Sequence, residues 1–130
     1  MTIAEMLRTH PKAGPNDNEA LQRCIEACME CHAVCVSCAD ACLSEEDIAS
    51  LRSCIRRNED CADICLTTAS LLIRQSERDI KLVQSVLQAC AQACRTCAEE
   101  CERHAGHMEH CRTCAVACRR CEQACNSFSL

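Results

Sequence analysis

From residue 24 to residue 42 the chain sets down cysteines at intervals of four, three, four, three and four: Cys24, Cys28, Cys31, Cys35, Cys38 and Cys42. That interval pattern is the a/d stripe of a heptad, and a helix that follows it carries every sulfur on one face. Two later segments keep the same rule, one with Cys90, Cys94, Cys97 and Cys101, the other with Cys111, Cys114, Cys118, Cys121 and Cys125. A further segment holds Cys54, Cys61 and Cys65, with Asn58 standing where another cysteine would fit. No proline interrupts residues 16–130 and β-branched runs are absent, so strands have little support.

Local signals divide the chain around these stripes. Asn16 followed by Glu19, Ser44-Glu45-Glu46-Asp47 and Ser76-Glu77-Arg78-Asp79 read as helix starts, and Gly106 supplies the remaining break. Helices are expected near 16–43, 45–74, 77–104 and 107–126. Turns this short force neighbouring helices to run antiparallel. The expected fold is all-α: an antiparallel up-down-up-down four-helix bundle with a cysteine-lined core over residues 16–130. Residues 1–15, with both prolines and a helical-looking piece from Ile3 to Leu7, form a short N-terminal arm.

The two ends of the stripes differ. Beyond Cys90 and Cys65 they continue through Leu87, Val83, Ile80 and Leu72, with Leu71 and Ile73 beside them, which predicts an apolar plug. At the other end the stripe runs from Cys101 to His104, and the next begins at His107 before Cys111, which predicts a polar, ligand-rich mouth. His110 lies one step off that stripe. His32 reads as a helix-interface residue and His10 as part of the arm. Met29 and Met108 lie off the stripes. Asn58 has two roles open to it, a register-setting polar core residue or a weak oxygen ligand beside Cys54.

Composition narrows the function. Of 130 residues 18 are cysteine and only Phe128 is aromatic among Phe, Trp and Tyr, so sulfur takes the place of the usual bulky core side chains. A secreted disulfide scaffold would need an export signal, and Met1–His10 shows no apolar signal segment or cleavage site. A cytoplasmic location is expected. Charged residues interrupt every helix, which argues against a membrane span, and a net charge of -5 without basic clusters argues against nucleic acid. No catalytic pairing of charged residues is implied, so the chain reads as a binding protein and not an enzyme.

Eight Cys-x-x-x-Cys pairs account for sixteen of the cysteines. Residues i and i+4 stand about 5–6 Å apart at Cβ, longer than the ~3.8 Å usual across a disulfide. A metal fits there more easily than a bond. Four thiolates around Zn²⁺ leave a net charge of about -2 per site, and a buried row of such sites carries a heavy desolvation cost. Monovalent copper, the soft ion thiolates select, avoids it. With bridging thiolates, neutrality permits on the order of one Cu(I) per cysteine. The candidate metal residues are thus all eighteen cysteines, with Asn58, His104, His107 and His110 as further candidates.

Four cysteine-striped helices, dense Cys-x-x-x-Cys pairs and no export signal together resemble the cytosolic branch of the bacterial copper storage protein family, over Asn16 to Asn126. The resemblance implies a four-helix bundle that fills its interior with Cu(I) and assembles into a homotetramer. Copper donor or acceptor proteins would then be partners. The exported branch carries a methionine-rich mouth, which this sequence lacks, so histidines would do that work here. Two competing functions stand against storage. An iron–sulfur electron-transfer protein would place its cysteines in loops wrapped around a cluster. A zinc-buffering, metallothionein-like protein would lack helix caps and an apolar plug of its own.

Overall fold

The computed structural model describes residues 2–14 and 18–130, and the expected cap at Asn16 lies outside them. Five α-helices follow in order: α1 (Thr2–Thr9), α2 (Asn18–Leu43), α3 (Arg52–Ile73), α4 (Ile80–His104) and α5 (Glu109–Ser127). A short 3₁₀ turn, Ile48–Leu51, leads into α3, and no strand occurs among the described residues. The long helices run without proline or glycine in their interiors, and each is held by burial of its sulfur face.

Sulfur-to-sulfur contacts fix the directions of the helices. Between α3 and α4, Cys54 meets Cys101, Cys61 meets Cys94 and Cys65 meets Cys90, so the numbers fall on one helix as they rise on the other. Between α2 and α5, Cys28 meets Cys121, Cys31 meets Cys118 and Cys35 meets Cys114 in the same sense. Cys42, near the end of α2, gathers with Cys54 and Cys111, near the starts of α3 and α5. Neighbours therefore run antiparallel around one shared interior.

Helix starts differ from expectation at both serine signals. The chain does not enter a helix at Glu45. Asp47 caps the 3₁₀ turn instead, its carboxylate accepting from the Ser50 amide at 3.4 Å, and α3 proper begins at Arg52. Likewise Glu77 does not begin α4, because its φ of 49° places it in the left-handed region. Asp79 is the cap, accepting from the Leu82 amide at 3.1 Å. Arg78 turns back to donate to the Leu72 carbonyl at 2.8 Å, closing the open end of α3. At the third break α5 begins at Glu109, two residues later than the 107 expected.

The apolar plug forms, with one correction. Leu72, Val83 and Leu87 are buried and join Leu21, Ile25 and Leu7, while Leu71 and Ile73 pack against them half-buried. Ile80 is 53% exposed, since α4 begins there and the stripe has no preceding turn to carry it inward. The arm contributes more than a tether. Its helix α1 buries Leu7 in the same cluster, with Ile3 packed against it.

Candidate metal centre

All eighteen cysteines are free thiols and all are buried, as the heptad spacing requires. Their sulfurs form a continuous network. Within helices, Cys31 lies 3.8 Å from Cys35 and Cys61 lies 3.8 Å from Cys65. Across helices, Cys35 and Cys118 approach to 3.6 Å, Cys31 and Cys61 to 3.7 Å, and Cys65 and Cys94 to 3.7 Å.

These contacts resolve into sets of four sulfurs within 4.8 Å of one another. One set is Cys28, Cys90, Cys121 and Cys125; the next is Cys31, Cys65, Cys94 and Cys121. Then come Cys31, Cys35, Cys61 and Cys118, followed by Cys35, Cys97, Cys114 and Cys118. Cys38, Cys42, Cys54 and Cys111 gather at the mouth. The first four sets share members in turn, Cys31, Cys35, Cys118 and Cys121 each belonging to two, while the mouth set shares no cysteine with them. A shared thiolate can bridge two soft ions, so the arrangement suits a chain of linked metal ions better than isolated sites.

Asn58 sits fully buried among four thiols. Its Oδ1 accepts from Cys97 at 3.0 Å, from Cys114 at 3.2 Å and from Cys101 at 3.7 Å, while its Nδ2 donates to Cys54 at 3.8 Å. Every polar atom of the amide is engaged, which is how a buried asparagine avoids a desolvation penalty. The same carbonyl oxygen faces the thiols that would bind metal, so the register role and the ligand role use one geometry.

The histidines sort differently from their stripe positions. His110, one step off the stripe, brings Nδ1 to 3.4 Å from Cys38 and 3.6 Å from Cys111, and its Nε2 is buried without a partner. His104 instead pairs Nε2 with Glu100 at 3.1 Å. His107 is exposed in the turn, its ring edge-on to His104 with centroids 6.1 Å apart. Among the described residues neither His104 nor His107 hydrogen-bonds to a thiol. The stripe could not be extrapolated to His107 because the helix has not yet begun there. Met108, off the stripes, caps α5 and sets its thioether 4.0 Å from the Cys111 sulfur. His32 donates through Nδ1 to the Ala62 carbonyl of α3 at 2.8 Å, the interface role expected of it.

Burial raises the Cys42 thiol to about 11, and it pushes the Cys111 thiol up as well. Metal binding at these positions must displace a proton from each sulfur. At Cys38 the balance runs the other way. Its pKa is lowered to about 6, first by a hydrogen bond from Cys101 and in smaller part by His110.

Comparison with known proteins places this geometry. A family profile described as copper storage protein matches residues 17–130. A structure of the copper storage protein Ccsp from Streptomyces lividans, loaded with 10 copper equivalents, superposes with a TM-score of 0.92 at 53% identity, covering 95% of each chain. The Cu(I)-bound copper storage protein BsCsp3 superposes with a TM-score of 0.76 at 33% identity, covering 86% of this chain and all of that one. An uncharacterized cysteine-rich protein, YhjQ, of Bacillus subtilis (strain 168) is 35% identical over 108 residues, 83% of this chain and 94% of its own length.

Proposed function

The chain belongs to the copper storage protein family, and from that premise we propose that it is a cytosolic store that holds Cu(I), about one ion per cysteine, and so protects the cell from excess copper. The observation that carries this reading is the sharing of sulfurs between successive four-thiol sets. A bridged row of monovalent ions and thiolates is nearly neutral, so it can occupy a buried interior that divalent ions would leave strongly charged.

The eighteen thiols are the ligands in this reading. Asn58 supplies an oxygen and His110 a nitrogen beside the thiols at the mouth. His104 and His107 lie nearer the surface of the same end and serve as first contacts for incoming copper. Storage needs no catalytic step. Residues 16–130 form the storage domain with residues 1–15 as its arm, and the working assembly is a homotetramer, served by copper donor and acceptor proteins and independent of nucleic acid. No helix among the described residues is long and apolar enough to cross a membrane.

Anaerobic titration with Cu(I) against a strong competing chelator tests the proposal directly. Uptake should continue to near the cysteine count of 18, giving a colourless product because Cu(I) has a filled d shell. Saturation after only a few ions would overturn it.

A further inference from the structure

The buried cysteines are not equally remote from the surface. Fifteen have no exposed area, whereas Cys38 keeps 2%, Cys24 1% and Cys125 4%. Cys38 lies beside His110 at the mouth. The other two lie at the opposite end of the sulfur core, next to the plug.

Each of those two lines a surface hollow. Cys24 borders a groove of about 510 Å³ between α2 and α5, where Ala20, Ala27 and Ala124 provide only thin cover. Cys125 borders a second hollow of about 520 Å³ with Leu87 and Asn126. Phe128 borders both. It packs half-buried on the core, anchored at the end of α5 by its amide's bond to the Ala124 carbonyl at 3.1 Å. Inward of it, Cys125 lies 4.0 Å from Cys28, which lies 3.7 Å from Cys121, a member of two of the four-thiol sets. An unbroken path of sulfur therefore runs from these hollows into the interior.

We propose that this end is a second site of copper exchange, where a small thiol reaches Cys24 and Cys125 when Phe128 swings aside. The proposal rests on the storage reading and adds to it a route that bypasses the mouth. An incoming thiol passes its proton to the departing cysteine sulfur as the copper–sulfur bond changes hands; copper stays monovalent throughout and no oxidant or reductant is consumed. The rim fits a zwitterionic thiol. Arg23, paired with Glu19, and Arg120, paired with Glu30, stand on the groove with Glu26, so both signs of charge are offered within a space suited to a small molecule.

Timed alkylation of the reduced, metal-free protein with iodoacetamide, mapped by peptide mass spectrometry, tests the access route without copper. Cys24 and Cys125 should react alongside Cys38 and at least about tenfold ahead of Cys31 and Cys61. Phe128→Ala should speed Cys24 and Cys125 about tenfold further while leaving Cys38 unchanged. Reaction of Cys24 and Cys125 no faster than the interior thiols would overturn the proposal, as would acceleration of all sites together in the variant. In the copper-loaded protein, with free cysteine as carrier and bathocuproine disulfonate as coloured reporter, Phe128→Ala should release copper several-fold faster at unchanged capacity. A capacity near the cysteine count with release unaltered would sink the exchange site and leave storage standing. A capacity of only a few ions would remove the copper role of both, whatever the alkylation pattern.

Discussion

The mouth and the plug bound the same sulfur core with opposite chemistry. At the mouth, Cys38, Cys42, Cys54 and Cys111 stand with Asn58, His110 and Met108, a mixture of sulfur, oxygen and nitrogen donors. At the plug, Leu7, Leu21, Ile25, Leu72, Val83 and Leu87 close the core beside Cys24 and Cys125. Between them the inner sets are built of cysteine sulfurs, with the Asn58 oxygen against Cys97 and Cys114. The difference separates two duties that a thiol core cannot perform alone. Cysteine is a small hydrophobe, so the larger leucines and isoleucines add apolar burial that the sulfur stripes supply only in part. Uncharged donors at the mouth can greet a monovalent ion without adding anionic charge that would have to be buried.

The largest effect should come from breaking the middle of the row and comparing it with the mouth. Cys31 and Cys118 lie 3.8 Å apart and each belongs to two sets. Replacing both with alanine should lower Cu(I) capacity by more than about two ions, because each lost thiolate is shared by neighbouring sites. His110→Ala removes one peripheral nitrogen, so capacity should change by no more than about one ion while loading slows. Parallel anaerobic titrations and stopped-flow loading would check this. Equal losses of capacity in the two variants would mean that the mouth and the middle are not distinct.

How far this division could be read in advance depends on whether a helix continues through the residues concerned. The heptad spacing forecast burial of every cysteine and the inward place of Asn58, because each lies within the bounds of a helix. It failed where helices end. His107 and Ile80 were projected inward along stripes that the backbone does not yet follow at those positions, and both are exposed. Ser44 and Ser76 head the segments that read as helix starts, yet Asp47 and Asp79 at the ends of those segments are the caps. A left-handed Glu77 and a 3₁₀ turn at Ile48–Leu51 leave no spacing signal. Likewise Leu7 is one apolar residue in a short arm, and only the folded bundle supplies the cluster that buries it.

The contrast in stability is sharpened at a single leucine. Leu72 has no exposed area and sits in the plug. Leu72→Ala should cost the metal-free protein about 2–5 kcal/mol, the range for emptying a packed leucine site. Cys42→Ala at the mouth removes one sulfur atom and should cost only about 1 kcal/mol. Urea midpoints of the two metal-free variants would show the order. A reversed order would place the stability of the fold in the thiol layers.

The smallest expected effect is a pH response to which buried thiols at the mouth contribute. Burial holds the Cys42 thiol at about 11, above its ordinary 9.0, and raises Cys111 too. Between those two values the folded chain keeps protons that the unfolded chain has released. Stability from these thiols is therefore whole below pH 9.0 and lost as pH rises through about 11. Cys24, beside the plug, has the opposite sign. Hydrogen bonds from Cys125 and then Cys28 lower it to about 4, so its contribution is lost as pH falls toward that value and is complete above 9.0. In the alkaline window only the raised thiols still act. Urea midpoints of the metal-free protein should fall between pH 9 and 11, and the fall should shrink in Cys42→Ala. The copper-loaded protein should stay level across the same range, because metal-bound sulfurs have no proton left to lose.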